Sequence, residues 1–386
     1  MTLVDVARTF AEVEALRPLW ESVQSPFVTS DIDFVLTFVR NAPGKMRPHA
    51  VVVGDRDGEP IGVISCRVEE IHLPVQLGPK TVLSPRVRAL TATYGGVMGK
   101  VDEATAPAFL DALFRSVEPG EVDLVRLRML EVGSPLHAAA RSRAPALRLR
   151  RLPLRMVHWR ADLPPSLDEY LARRSKRRRE TVRRYSNRLE RTYGDEARVE
   201  VFRSREGIER LVADSALVHR ESYQHVLGVG FSDERVQHRL MELAMDRGWF
   251  RGYVLYLRGR PVAFWHGSAY RGTFGIGATG FDPAYADARP GTYLLMRLIA
   301  DLCADESVRT LDFGFGDADY KRHFGDESVL EEDVVVVEPR ARPLALNAVS
   351  TALEGASRAA RAGAERVAGG GRLRRLRRSR LERGRR

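Results

Sequence analysis

Residues 273–325 read TFGIGATGFDPAYADARPGTYLLMRLIADLCADESVRTLDFGFGDADYKRHFG. This stretch predicts a glycine-spaced strand, a loop, a helix opening at Arg289-Pro290-Gly291-Thr292, a second short strand over 310–313, and a segment carrying Tyr320 and Lys321. Gly275, Gly277 and Gly280 match G-x-G-x-x-G in form only. A dinucleotide fingerprint needs those glycines to open a helix directly after the strand, and here Phe281-Asp282-Pro283 intervenes. Glycines inside a strand mark a bulge or the close approach of a ligand to the backbone. The Pro-Gly-Thr helix start presents unpaired N–H groups, which favour an anion by about 0.3–1 kcal/mol when exposed and up to ~2 kcal/mol when partly buried. Asp312-Phe313-Gly314 copies the kinase D-F-G, but no Gly-rich loop, strand lysine or catalytic loop accompanies it in order. The phenol of Tyr320 reads either as a proton donor to a departing group or as a packing anchor. Lys321 reads as a phosphate contact or as surface charge.

Strand and helix patterns alternate outward from this stretch, which gives an α/β (α+β) fold. In the first part, residues 49–71 predict a hairpin, 93–99 a glycine-rich strand or loop, 106–117 a helix, 122–130 a strand, and 134 onward a helix capped by Ser134. The pattern after Pro165 predicts one long helix from about Ser166 to Tyr193, a strand over 198–203, helices over 206–226 and 232–247, a hairpin turning at Arg258-Gly259-Arg260, and a last strand over 333–338. The two parts read as loosely related units, 1–155 and 156–340, each a mixed, mostly antiparallel sheet flanked by helices, followed by a tail over 341–386.

The net charge of +11 belongs to that tail. Residues 340–386 hold 14 Arg against Glu354, Glu365 and Glu382, so residues 1–339 balance to zero. The tail ends RLRRLRRSRLERGRR over 372–386, a polybasic segment suited to an anionic membrane surface or to nucleic acid. A second basic run, RRSKRRRETVRRYSNRLER over 173–191, sets ten basic residues against two acids and predicts contact with a polyanion: an RNA, a phosphorylated lipid or an anionic polymer. The N-terminal twenty residues pattern as an amphipathic helix and not as a signal peptide. No apolar run reaches the ~18 residues of a membrane span. Cys66 and Cys303 read as buried reduced thiols. Together these predict a cytoplasmic protein, peripheral at the inner membrane face if the tail engages it. The nine histidines form no zinc pattern, and no G-x-S-x-G elbow is present.

Residues 249–338 resemble the GNAT-fold acetyltransferases of the cellulose-biosynthesis (CelD-like) type, distant relatives of the Fem peptidoglycan aminoacyltransferases. GRPVAFWHG (259–267), GFDPAYADARPG (280–291), TYLLMRLIADLCAD (292–305) and LDFGFGDADYKRHFG (311–325) carry the resemblance. SKRRRETVRRYSNRLE (175–190), Tyr94-Gly95-Gly96 and the run Leu130 to Pro135 also fit it. The resemblance implies two tandem GNAT-like units with the second catalytic, and acyl-CoA (acetyl-CoA or a longer ester) as cosubstrate without a metal. It implies an amine acceptor, a small molecule or a polysaccharide of the cell envelope. It places the pyrophosphate on the amides from Gly291 through Thr292 and Tyr293 to Leu294, beside Arg289 and Lys321. A strand N–H around Gly277, Ala278 and Thr279 would receive the developing oxyanion, Tyr320 would protonate the thiolate, and Glu221 and Asp312 are the candidate bases. Arg289-Pro290-Gly291 only approximates the Q/R-x-x-G-x-G/A phosphate loop of GNAT enzymes. Two other expectations therefore stand beside this one: an aminoacyl-tRNA-dependent, Fem-like transferase, and a non-catalytic binding protein on a GNAT scaffold.

Overall fold

The computed structural model describes residues 4–77, 80–150, 154–222 and 234–367. The strands are β1 (Val4–Ala7), β2 (Met46–Gly54), β3 (Pro60–His72), β4 (Val75–Leu77), β5 (Lys80–Leu83), β6 (Arg86–Gly99), β7 (Leu124–Glu131), β8 (Arg155–Asp162), β9 (Ala197–Phe202), β10 (Phe250–Leu257), β11 (Arg260–Tyr270), β12 (Thr273–Phe281), β13 (Thr310–Phe315) and β14 (Glu327–Val337). All but β4 and β5 join one twelve-stranded sheet in the order β1-β2-β3-β6-β7-β14-β8-β13-β12-β11-β10-β9. It is a mixed sheet with helices on its faces.

The order has an internal symmetry. Four antiparallel strands lead from each edge, β1-β2-β3-β6 and β9-β10-β11-β12, and each set then meets a parallel neighbour, β7 or β13. A helix makes each parallel crossover, Ala106–Arg115 in the first unit and Pro290–Cys303 in the second. Both are amphipathic. Phe109, Leu110 and Leu113 bury one face of the former, and Leu294, Leu298, Ile299 and Leu302 the same face of the latter. At the centre the units exchange their last strands. β8 begins at the boundary read near residue 155, follows the first unit's last helix and pairs with β13; β14 closes the second unit but pairs with β7, and β8 and β14 pair with each other. The centre of the sheet is thus a hydrogen-bonded seam between the units.

Both parallel pairs splay. β12 pairs β13 only at Thr273–Gly275, while β12 itself continues to Phe281. β6 pairs β7 only at Ala89–Ala92 and continues to Gly99. Each splayed strand also bulges. Ile276 faces Gly267 and Ala278 faces His266, leaving Gly277 as the extra residue on β12. In the first unit the register jumps from Ile64–Val97 to Cys66–Ala92, which throws Tyr94, Gly95 and Gly96 out of the ladder. A bulge kinks a strand and re-aims its side chains, and here it does so where the parallel partner departs.

Several sequence expectations need correction. The N-terminal amphipathic helix is instead β1 followed by two short helices, Phe10–Ala15 and Arg17–Val23, because Thr9 and Glu12 form a capping box and Pro18 starts a second helix. The long helix from Ser166 is two, Leu167–Ala172 and Lys176–Tyr193. Ser175 takes the N-cap position and accepts from the Arg178 amide at 3.3 Å, a local bond that competes with helix continuation. The helix predicted over 206–226 ends at Glu221, and the one over 232–247 spans Arg235–Asp246, with residues 223–233 outside the described range. The helix Ile32–Asn41 and the β4-β5 hairpin carry no counterpart in the sequence reading. The tail begins as a helix, Ala341–Val367, and its polybasic end, 372–386, lies outside the described residues. Cys66 and Cys303 are buried and unpaired with each other. Among the described residues no helix is long and apolar enough to cross a membrane.

Candidate active site

The β12/β13 splay opens into a cavity of about 600 Å³. β11 and β12 form its floor, the first unit supplies Phe27, Phe34 and Tyr94, and the helix Arg235–Asp246 supplies Leu240 and Met241. The far side is made by β8, β13 and the short helix Asp319–Phe324, through His158, Asp312, Phe315, Tyr320 and Lys321.

The floor glycines divide into two kinds. A Cβ on Gly267 would stand 2.4 Å from Phe274 Cζ, and one on Gly280 2.7 Å from Phe264 Cε1, so packing requires glycine at both. A Cβ on Gly275 would meet nothing within 4 Å, and on Gly277 only the His266 carbonyl at 3.8 Å. No packing contact among the described residues requires glycine there. A strand glycine costs conformational entropy, and these two keep the cavity floor low and bring the backbone within reach of a ligand. From Ile276 to Phe281 the β12 edge facing β13 has no strand partner. That stretch contains Gly277, Ala278 and Thr279.

Tyr320 is half-buried on the cavity wall. Its ring packs edge-on against Trp265, centroids 5.5 Å apart, and against Phe313 at 6.2 Å. Trp265 in turn donates its indole N–H to the Gly291 carbonyl at 3.2 Å. One aromatic contact therefore ties the Tyr320 ring to the first turn of the helix Pro290–Cys303. Lys321 turns inward and not toward that helix start. Its Nζ donates to the carbonyls of Gly314 at 3.1 Å and Phe315 at 2.5 Å, and burial pushes its pKa down to about 8, against the pull of Asp312. It pins the C-terminal end of β13, where Gly314 holds φ +69°.

The helix start departs from the sequence reading in a second way. Arg289, at the N-cap, is left-handed (φ 54°), and its guanidinium lies over the Tyr185 ring at 5.5 Å. Arg184 lies over the same ring at 5.5 Å. The amides of Thr292 and Tyr293 both donate to the Arg289 carbonyl at 3.1 Å. Pro290 has no N–H, so among the described residues Gly291 holds the free amide of the first turn. The Tyr293 and Leu294 side chains are buried in the core. A Cβ on Gly291 would make only ordinary contact with Phe281 at 3.7 Å, so the surface above it is open.

Asp312 belongs to a buried cluster that the exchanged strands assemble. His158, from β8, is 1 % exposed. Its Nε2 lies 2.6 Å from Asp312 Oδ1, and its Nδ1 lies 2.9 Å from Glu331 Oε1 of β14. The Tyr94 hydroxyl sits 3.0 Å from the same Nδ1 and 3.4 Å from Glu331 Oε1. Arg160 stands 3.9 Å from Asp312 and 3.8 Å from Glu331. Burial opposes a charge on His158, but the hydrogen bonds to Asp312 and Glu331 outweigh it and raise its pKa above the ordinary value. Burial and the Glu331 and Asp312 charges push the Tyr94 phenol up, so it stays neutral. The Gly314 amide donates to Asp312 Oδ1 at 2.7 Å, which leaves Oδ2 as the less committed oxygen. His158, Tyr94 and Glu331 escaped the sequence reading because they lie far apart in the chain. In the run Glu331-Glu332-Asp333, strand alternation sends Glu331 to His158, and Glu332 to His137 and Arg155 at 2.8 and 2.5 Å. Glu221, the other candidate base, is exposed at the end of its helix and is not part of the cavity wall.

The fold is GNAT-like. Residues 176–322 match the family described as "Acetyltransferase (GNAT) domain". Among solved structures the chain is similar to FemX, at 12 % identity and a TM-score of 0.57, over 88 % of this chain and 97 % of that one. It is similar to the C-terminal domain of a putative lysylphosphatidylglycerol synthetase from Agrobacterium fabrum, at 13 % identity and 0.51, over 89 % and 97 %. L-PGS from Bacillus licheniformis follows at 17 % and 0.50, over 88 % and 96 %. At such identities the likeness concerns the fold. No curated protein matches the chain.

Proposed function

We propose that the protein is an N-acyltransferase that moves an acyl group from acyl-CoA to an amine. The carrying observation is the splayed edge of β12, with open space above Gly275 and Gly277, joined through Trp265 to both Tyr320 and the Gly291 helix start. A thioester arm laid along that edge would set its carbonyl against the backbone around Gly277–Thr279, the placement that stabilises a developing oxyanion. The free Gly291 amide, with Arg289 beside it, would take a phosphate. The acceptor amine attacks the carbonyl directly: the C–N bond forms, the C–S bond breaks, and Tyr320 gives its proton to the leaving sulfur. The proton lost by the amine goes to Asp312, whose carboxylate is held in place by His158 and the Gly314 amide. A thermal-denaturation series tests the donor. A ligand that binds only the native state raises the midpoint, by about 2.7 kcal/mol of stability at a hundred times its Kd. Acetyl-CoA or a longer ester should do so, and no shift with any of them would refute the reading.

One observation favours a second reading, transfer from an aminoacyl-tRNA. The helix start offers one free amide where a pyrophosphate takes several, while the adjacent helix Lys176–Tyr193 buries Val182 and Leu189 and turns Arg183, Arg184, Arg188 and Arg191 outward. On this reading, replacing Arg183, Arg184 and Arg188 with Ala should weaken tRNA binding and reduce the slope of log K against log salt by roughly one unit per lost phosphate contact. Unchanged affinity and slope would leave acyl-CoA as the donor. The polybasic end, 372–386, is proposed on its charge alone to attract anionic surfaces.

A further inference from the structure

The cavity is built asymmetrically. Among the described residues, every charged residue of its lining comes from one side, from β8, β13 and the helix Asp319–Phe324. The described residues of the opposite walls, from 26–34, the helix Arg235–Asp246 and Phe250, contribute no charged side chain. Gln237 is the polar side chain of the helix wall, and it is exposed; the other polar groups considered near these walls have partners. Thr29 Oγ1 donates to the Tyr94 carbonyl at 2.8 Å, and the Tyr270 hydroxyl to Asp31 at 3.0 Å. His266 Nε2 lies 2.8 Å from Ser215 Oγ, and burial drives its pKa down to about 3, which keeps the ring neutral. A polar ligand portion placed there would lose its water and find few new hydrogen bonds, which is costly. An apolar portion meets Phe27, Phe34, Leu240, Met241 and Ile276.

Size and length agree. A water molecule occupies about 30 Å³ in the liquid, and an acetyl group is only a few atoms larger, so even with a donor arm on β12 it would leave space against the apolar walls of the roughly 600 Å³ cavity. The cavity follows β12 from Thr273 to Thr279, which at about 3.3 Å per residue is on the order of 20 Å. Gly275 and Gly277 keep this floor free of side chains where packing does not demand it.

From this we infer that the cavity receives a long hydrocarbon chain, carried either by the acyl group of the donor or by the amine acceptor. The inference deepens the acyltransferase reading and rests on it for the reaction, though the binding of the chain can be measured without it. Direct calorimetric titration of the full-length protein with two series tests it: alkylamines from butylamine to dodecylamine, and CoA esters from acetyl to palmitoyl. Affinity should rise by roughly fourfold per buried methylene in the series whose chain occupies the cavity, and level off where the cavity ends. Gly275→Leu, which places a branched side chain on the floor, should flatten that rise. A rise in the amine series alone assigns the chain to the acceptor, and a rise in the ester series alone assigns it to the donor. A rise in the amines with no ester bound or consumed would overturn the CoA-dependent reading and leave the chain site standing. Affinity independent of chain length in both series, or a rise that Gly275→Leu leaves intact, overturns the inference.

Discussion

Replacing Tyr320 with Phe should lower kcat by roughly 10²–10⁴-fold, the usual range for a lost general acid, with the donor still bound. The variant keeps the ring that packs on Trp265 and Phe313 and removes only the hydroxyl. That makes it a clean test of two roles the sequence leaves level, proton donor and packing anchor. If Tyr320 is an anchor, the variant should retain turnover. Steady-state kinetics with the donor identified by thermal shift would decide, and an undiminished kcat would remove Tyr320 from the chemistry. Donors with a more acidic leaving thiol should be less affected, because they need protonation less.

The second large effect concerns His158. Replacing it with Leu should destabilise the protein by about 3–5 kcal/mol, the cost of removing one partner from a buried ionic cluster. Asp312 and Glu331 would be left facing each other's charge, with Arg160 more distant. The pH dependence carries a sign. The folded pKa of His158 is raised, so its stabilisation is complete below the unfolded value near 6.5 and is lost as pH rises through the higher folded value. Wild-type denaturant midpoints should therefore fall across that window, and the fall should be absent from His158→Leu. Equal pH profiles for the two proteins would show that the imidazolium does not hold the cluster.

The parts of this fold that were legible in sequence are those with local causes. The Pro-Gly helix start, the Ser134 cap and the hairpins at 49–71 and 258–260 follow from neighbouring residues, and the strand nature of the Gly275–Gly280 run follows from what separates it from the helix. What was illegible is set by distant partners. His158 looks like one histidine in a strand, and its pKa is raised by two carboxylates only because β8 lands between β13 and β14. Glu331 and Glu332 look solvated until alternation and the exchanged strand bury both. Lys321 looks like a phosphate contact because the sequence cannot show that its ammonium is spent on two carbonyls at the end of β13. The break at Ser175 was the readable exception, a cap residue overridden in the reading by the length of the helical pattern around it.

The exchanged strands bear on how the molecule can be divided. A cut between β8 and β9 would give an N-terminal fragment whose β7 faces solvent along a ladder built for β14, and a C-terminal fragment whose β13 lacks β8. Each fragment would expose a raw sheet edge of the kind that recruits other chains. The first unit is therefore no detachable accessory, even though it holds few of the reacting groups. It and its companion share one sheet through the exchanged strands, so calorimetry should show one unfolding transition in place of two, and a shortened version of the protein should need both.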